Sequence, residues 1–463
     1  MSKTPISATH ASPFYRAAWR WHFYAGLYVV PFLLMLATTG LIMVYSNSIE
    51  TRFGAKHFVA AEGETQPVTA QAKAAVDAIP GGKLIMYVAP ITPDRSSIFA
   101  VESNGVRNVV AVDPHSATVL GSLVKDDTWF YWANNIHGTF LMGAFGDRLI
   151  EIAAGLGIVM VVTGLYLWWP RDGKTLFRVL VPNLAARGRA FWKELHAATG
   201  FYISIVLFFF LLTGMSWTGI WGEKLVQAWS TFPAEKWDNV PLSDKTHANM
   251  NHGALHEVPW GMEQTKLPLS GSQTGITGTP EGVPVNLDSV VALAHQIGFA
   301  NQFRINLPKD EGGVYTISAD SMDGDTENPW SDRTIHVDQY TGKILAEIKF
   351  ADYSLGAKSM AVGTALHQGD LGLWNTILNT LFCLVIIFLT VSGVIMWWLR
   401  KPKGVFRIVP PPMPENLPMW RGAVLTMLIL SLAFPLVGLT LISLLALDML
   451  ILSRMPLLRT VFK

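Results

Sequence analysis

Apolar positions along the chain gather into five long runs, roughly 23–45, 149–169, 198–220, 375–399 and 421–447. About 20 apolar residues of helix cross the roughly 30 Å hydrocarbon core of a bilayer, so every run is long enough. The pattern predicts an α-helical polytopic membrane protein. The fifth run holds Pro435 and Gly438 and reads as one kinked helix, which membranes tolerate, with a re-entrant hairpin as the alternative. Between the runs lie two long polar segments, about 46–147 and 221–373. In each, short stretches alternate apolar and polar with the period of strands and turn sharply at an aspartate, a hairpin signal. These turns are Val112–Leu120 (VDPHSATVL) and Val337–Leu345 (VDQYTGKIL). Helix candidates precede them at Ala70–Ile79 and Leu287–Gly298. Each polar segment is therefore expected to form a small α+β domain.

Set against itself, the sequence repeats. His22 leads the first span, with Gly26 and Gly40 four and eighteen residues on, and His196 leads the third, with Gly200 and Gly214 at the same offsets. His137 precedes the second span, which closes on Thr163-Gly164 and Trp168-Trp169, with Arg171 two residues beyond. His367 precedes the fourth, which closes on Ser392-Gly393 and Trp397-Trp398, with Arg400 two residues beyond. The unit is span, α+β domain, histidine, span, used twice. Two copies in one orientation are expected to pack about a pseudo-two-fold axis along the membrane normal. Spans are placed at 14–46, 137–171, 196–221, 367–400 and 420–452, with outer domains at 47–136 and 222–366 and inner links at 172–195 and 401–419.

Charge orients this arrangement. Arg16 and Arg20 precede the first span, the link after the second carries Arg171, Lys174, Arg178, Arg187, Arg189 and Lys193, and the fourth ends on Arg400, Lys401, Lys403 and Arg407. Basic loops stay inside, which puts the N-terminus in the cytoplasm and both long polar segments outside it. The first run is too long for a signal-peptide core and reads as a retained anchor. The lone cysteine, Cys383, sits in a span, so disulfides within the chain and dithiol redox chemistry are excluded. A bacterial inner membrane, with periplasmic domains, is the natural setting. Net charge of +1 gives no sign of a nucleic-acid partner; membrane lipid is the expected surround.

Four histidines at span ends fall into two pairs by membrane face, His22 with His196 inside and His137 with His367 outside. Any one of them alone reads as a helix-end or headgroup contact. Related pairs converging on an axis instead suit bis-histidine haem iron, a ligation that favours electron transfer. The same spacing sets Gly164 and Gly393 level with the inner pair and Gly40 and Gly214 level with the outer pair, where small residues permit close approach. Helix–helix packing is the competing reading for those glycines. Arg20, Arg148, Arg171 and Arg400 lie near these levels as propionate partners or as topology determinants. The paired tryptophans read first as an interfacial belt.

Other features carry less. His247, His252 and His256 form the densest histidine cluster, and His252 and His256 at i, i+4 are candidates for metal or substrate contact beside a plain loop reading. Asp320, Asp323, Asp325 and Glu327 lack the register of a Ca²⁺ loop and read as a solvated hairpin loop. His10, His57, His115 and His295 lack symmetric partners and read as surface or domain-packing residues. Gly155 and Gly157 lie inside a span with no preceding strand, which rules out a dinucleotide fingerprint.

On the histidine lead-ins, the outer His137-Gly138 and His367-Gln368-Gly369 motifs, the Thr163–Arg171 (TGLYLWWPR) and Ser392–Trp398 (SGVIMWW) endings and the two hairpins, the chain resembles the PepSY-associated transmembrane family, iron-regulated membrane proteins that include ferric-siderophore reductases. The resemblance implies two b-type haems and reduction of a ferric siderophore on the periplasmic side. With no flavin or nicotinamide fold in the sequence, quinol or a cytoplasmic reductase would supply electrons. A non-enzymatic PepSY regulatory or binding protein and a siderophore permease component are the alternatives. Against the permease stands the absence of charged residues inside the spans, their termini apart.

Overall fold

The computed structural model describes residues 13–47, 58–171, 175–227, 239–251, 256–300, 302–402, 408, 410–411 and 421–450. In chain order these form α1 (Pro13–Asn47), α2 (Val68–Asp77), β1 (Lys83–Val88), β2 (Ser97–Ser103), β3 (Val106–Val112), β4 (Val119–Val124), α3 (Trp129–Thr139) and α4 (Gly143–Trp168). Then come α5 (Leu176–Leu180), α6 (Arg189–Met215), β5 (Leu242–Thr246), β6 (Lys266–Pro268), α7 (Leu287–Gln296), β7 (Arg304–Asn306) and β8 (Val314–Ala319). The chain continues through β9 (Arg333–Asp338), β10 (Ile344–Lys349), α8 (Leu355–Gln368), α9 (Leu373–Arg400), α10 (Arg421–Ala433) and α11 (Pro435–Leu450). Two compact units contain them: Met1–Thr38, Thr139–Glu223 and Leu381–Lys463 in one, Thr39–Gly138 and Lys224–Thr380 in the other.

The first unit is helical. Four helices, α1, α4, α6 and α9, are long and apolar enough to cross a membrane. This is a multi-pass membrane protein. Among the described residues the fifth run breaks at Pro435 into α10 and α11. Proline lacks the N–H that would continue the ladder, which is why the break falls there. Val437, just past it, seats against Gly155, where a Cβ would come within 2.3 Å of the valine methyl. A Cβ on Gly157 would likewise meet Leu211 of α6 at 3.1 Å. Those two glycines serve helix packing.

A charged residue does enter a span. Glu151 of α4 is buried, contrary to the expectation of uncharged span interiors. Its carboxylate accepts the Ile220 and Trp221 backbone N–H groups, both at 3.2 Å, and Asp147 accepts that of Gly219 at 3.1 Å. The two acids thus satisfy backbone donors of the turn after α6 that would otherwise lie buried and unpaired.

In the second unit the two polar segments do not make separate domains. Their strands join in one antiparallel sheet of order β10-β9-β8-β7-β1-β2-β3-β4, closed across Met86↔Asn306, Tyr87↔Ile305 and Val88↔Arg304. The physical reason is edge pairing. Each segment alone would leave β1 or β7 as an unpaired edge, and an open edge seeks a partner. Helices α2 and α7 pack on a core common to both segments, with Ala75, Phe99, Val290, Phe303, Ile317 and Ile335 essentially inaccessible. The aspartate-led hairpins are present. Asp113 accepts the His115 N–H at 2.9 Å and the Ser116 hydroxyl at 2.8 Å. Asp338 accepts the Tyr340 and Thr341 N–H groups at 2.8 and 2.9 Å.

Candidate functional site

Thr163 and Ser392 fix how the inner histidines stand. Within the helical unit, His22 Nδ1 lies 3.0 Å from Thr163 Oγ1, and that hydroxyl donates its proton to the Val159 carbonyl at 2.7 Å. A hydroxyl has one proton. With it committed to the helix carbonyl four residues back, the oxygen accepts, so His22 Nδ1 carries the hydrogen. Nε2 is then left with its lone pair. His196 repeats the arrangement: Nδ1 is 2.8 Å from Ser392 Oγ, whose proton goes to the Leu389 carbonyl at 2.9 Å. In its neutral form each imidazole then has Nε2 available, the state in which histidine ligates a metal.

Glycines complete the two seats. A Cβ on Gly164 would stand 3.2 Å from His22 Cε1, and one on Gly393 3.7 Å from His196 Cε1. The expected coincidence of level between these glycines and the inner histidines is present, and its form is direct contact of ring and backbone. The adjacent hydroxyls were overlooked in the sequence. Their signal was there, as Thr163-Gly164 and Ser392-Gly393 precede the tryptophan pairs in both endings.

The outer pair belongs to the second unit. His137 and His367 lie edge to face, with ring centroids 6.4 Å apart and planes at 81°. Two imidazoles on opposite sides of one metal would have centroids about 6 Å apart, from bonds of about 2 Å and about 1 Å from nitrogen to ring centre. The separation fits. Thr39 Oγ1 lies 2.9 Å from His137 Nδ1, a third hydroxyl on a histidine.

Neither outer histidine starts a span. His137 lies near the end of α3 and His367 near the end of α8, each followed by a turn before α4 begins at Gly143 or α9 at Leu373. Gly369 makes the second turn, holding φ +93° as the left-handed cap of α8. Asn379 of α9 donates to the Leu366 and His367 carbonyls at 2.9 and 2.8 Å, and Asn375 to Leu366 at 2.9 Å. These buried amides satisfy carbonyls that a helix end leaves open and hold the His367 backbone in place.

The arginines mostly meet protein groups. Arg20 donates to the Pro411 carbonyl and to Tyr24, Arg171 to the carbonyls of Tyr166, Leu167 and Trp169, and Arg148 pairs with Asp147. Arg400 lies over Trp19 and Phe23 at 5.2 and 4.9 Å. The tryptophan pairs divide alike. Trp168 and Trp397 donate inward to the Val179 and Ile408 carbonyls, while Trp169 and Trp398 are exposed, as a membrane belt requires.

The 247–256 cluster is described only at His247 and His256. His252 lies outside the described residues, as do His10, His57, Lys174, Lys403 and Arg407. His256 is exposed, its Nδ1 2.6 Å from Glu263 Oε1. His247 is in the core, wholly inaccessible beside His336, with their Nε2 atoms 2.9 Å apart. The outer atoms assign the protons. His247 Nδ1 lies 2.7 Å from the Thr265 carbonyl and must donate to it, so its Nε2 accepts from His336 Nε2–H. Thr316 then donates to His336 Nδ1 at 3.0 Å. Burial holds His247 down to about 4 and His336 well below the ordinary histidine range. Sequence reasoning passed over His336 because nothing near it in the chain hints at a histidine partner.

The acidic stretch is not a solvated loop either. Asp320 and Asp325 are buried, Asp332 joins them, and Arg304 inserts from β7. Burial above all pushes the four carboxyls above the usual range, against the opposing pull of Arg304 on Asp320, Asp323 and Asp325. His115 and His295 bond the backbone carbonyls of Pro93 and Phe299, as packing residues do.

The model of the PepSY-associated TM region matches residues 19–400, which takes in His22, His137, His196 and His367. The chain belongs to that family. No curated protein matches it significantly. Within the PepSY-associated framework the matched region ends at Arg400, so α10 and α11 lie beyond it.

Proposed function

We propose that this PepSY-associated protein is a di-haem transmembrane electron carrier that reduces ferric siderophore at the periplasmic face of the bacterial inner membrane. The observation that carries the reading is the hydroxyl held against Nδ1 of both His22 and His196, which supports the tautomer that leaves Nε2 available for a ligand. His22 and His196 would hold one haem b, and His137 and His367 the other. Haem iron with both axial positions filled supplies one-electron transfer without an open site for oxygen. The protein's own part is to fix tautomer, ring direction and backbone clearance.

In this reading the N-terminus is cytoplasmic, quinol or a cytoplasmic reductase is the donor, and the sheet unit presents the ferric chelate. Reduction would release iron because Fe(II) suits hard oxygen ligands less well than Fe(III). Internal duplication is part of the proposal. It is supported by the mirrored strand order about β1 and β7 and by matching pairs, His22–Thr163 with His196–Ser392 and Trp168–Val179 with Trp397–Ile408.

The visible spectrum of purified protein from haem-replete cells tests the reading. A sharp Soret band that shifts on dithionite, without high-spin features, is expected. His137→Ala or His367→Ala should remove one haem and His22→Ala or His196→Ala the other. A colourless protein would instead favour the regulatory or binding reading. Reduced haem that persists with every ferric chelate offered would rule out the reductase.

A further inference from the structure

The buried carboxylates between β8 and β9 carry an inference that stands whether or not haem is bound. Asp320, Asp323 and Asp325 each direct one carboxylate oxygen to a common space, all within 4.8 Å of one another. Arg304 supports two of them from one side. Its Nε lies 3.0 and 3.1 Å from the Asp325 oxygens, and its Nη2 donates to the Asp323 carbonyl at 2.7 Å. Its Nη1 stands 2.7 Å from Asp323 Oδ2 as an ion pair without hydrogen-bond alignment. Asp332, also buried, is engaged by the Ser321 N–H and hydroxyl at 2.8 and 3.2 Å.

Asp320 differs. It is 1% exposed, its Oδ1 accepts the Asp323 N–H at 2.9 Å, and its Oδ2 is buried with no hydrogen-bond partner. The Arg304 guanidinium thus stands against three carboxylates, with Asp332 buried beside them. Buried charge left uncompensated is strongly unfavourable and is met by a counter-ion or by protons. The donors are all oxygen, which selects a hard cation. Ca²⁺–oxygen bonds of about 2.3–2.6 Å allow ligand oxygens to stand up to about 5 Å apart across one ion.

We propose that Asp320, Asp323 and Asp325 bind one divalent cation of the calcium class, with Asp320 Oδ2 as the ligand that has no other role. The loop that holds it is seated on the turn after His367. With its amide turned to face two acceptors, Gln368 donates to the Met322 carbonyl at 2.8 Å and to Asp370 at 3.1 Å. A Cβ on Gly372 would meet Glu327 Oε2 at 2.8 Å. Cation binding therefore orders the loop against the segment that carries the outer histidine.

Equilibrium dialysis of ⁴⁵Ca²⁺ against the full-length, EDTA-stripped protein in detergent tests this. One saturable site per chain is expected, at least tenfold weaker in Asp320→Asn and unchanged in His137→Ala. The last comparison separates this site from the haem reading, since only the latter variant should alter the Soret band. Thermal melting guards against misfolding: Ca²⁺ should raise the midpoint of wild type and leave that of Asp320→Asn unmoved. Without Ca²⁺ the Asn variant, free of one buried charge, should melt no lower than wild type. No saturable binding by wild type up to about 10 mM, above the range of weak extracellular sites, would overturn the proposal. So would Asp320→Asn binding as tightly as wild type, which would leave protons as the counter-charge.

Discussion

Thr163→Val tests whether the hydroxyl, and not merely the histidine, makes the inner site. Valine keeps the shape of threonine and removes one oxygen. His22 Nδ1–H, now 3.0 Å from that oxygen, would face a methyl group. Leaving a buried donor without an acceptor costs about 1–3 kcal/mol. Independently, the outer partner of a metal-bound histidine is worth about 10–100-fold in affinity, or roughly 1.4–2.8 kcal/mol at 1.4 kcal/mol per decade. The two routes agree, so the expected effect is loss of haem from the inner site at about 10–100 times the wild-type rate. The site also loses the donor–acceptor contact that makes His22 more basic, so its midpoint potential should rise. Haem per chain, transfer of haem to apomyoglobin and a potentiometric titration measure these outcomes. Thr163→Ser, which restores the oxygen, should behave as wild type. Wild-type haem retention and potential in Thr163→Val would refute the assignment of the His22 tautomer as the determinant. Equal loss of the outer haem would refute the pairing.

Two further substitutions and one pH series extend the same logic. Gly164→Ala places a methyl 3.2 Å from His22 Cε1, closer than ordinary contact, whereas Gly393→Ala places one at 3.7 Å from His196. The first should cost about 1 kcal/mol or more by overpacking and loosen the inner haem; the second should be nearly neutral in melting point and spectrum. The His247–His336 pair should make the protein acid-sensitive. His247 has its folded value lowered to about 4 from 6.5. Its contribution is therefore complete above pH 6.5 and lost as pH falls through 4, amounting to roughly 3 kcal/mol at 1.36 kcal/mol per unit. Chemical denaturation of wild type and of His247→Gln/His336→Gln at pH 7 and 4.5 reads this, and equal losses in both proteins would contradict it.

The helical part was legible because bilayer thickness imposes a length that a sequence displays directly. Four of the five apolar runs are helices of that length. The fifth is interrupted at Pro435, where the sequence placed its kink. Its apolar count matches a span, yet Pro435 divides it, and the outcome of such a break depends on partners such as Gly155 that lie far away in the chain. The joining of β1 to β7 was illegible for a related reason. Alternation marks strands and Asp113 and Asp338 mark their turns, but nothing in a strand names which distant edge will pair with it.

The same distinction runs through the sites. His22, His137, His196 and His367 stood out because ionisable residues at span ends are few and recur at matched offsets. Thr163 and Ser392 did not, since threonine and serine are common in apolar helices, where bonding back to a carbonyl is their ordinary behaviour. That ordinary bond is what gives them a directed role, because it occupies the hydroxyl proton and leaves the oxygen to accept from histidine. The buried groups of the sheet unit reverse the lesson. Asp320 and Asp325 read as a solvated loop, His247 as part of a loop cluster, and His336 drew no reading, since polarity predicts exposure in the absence of a partner. Their partners, Arg304 for the acids and Thr265 and Thr316 for the histidines, come from other strands or loops. A local pattern reports what a residue would do alone. The chemistry of both units arises where two segments, each unremarkable by itself, bring complementary groups within 3 Å or so of one another.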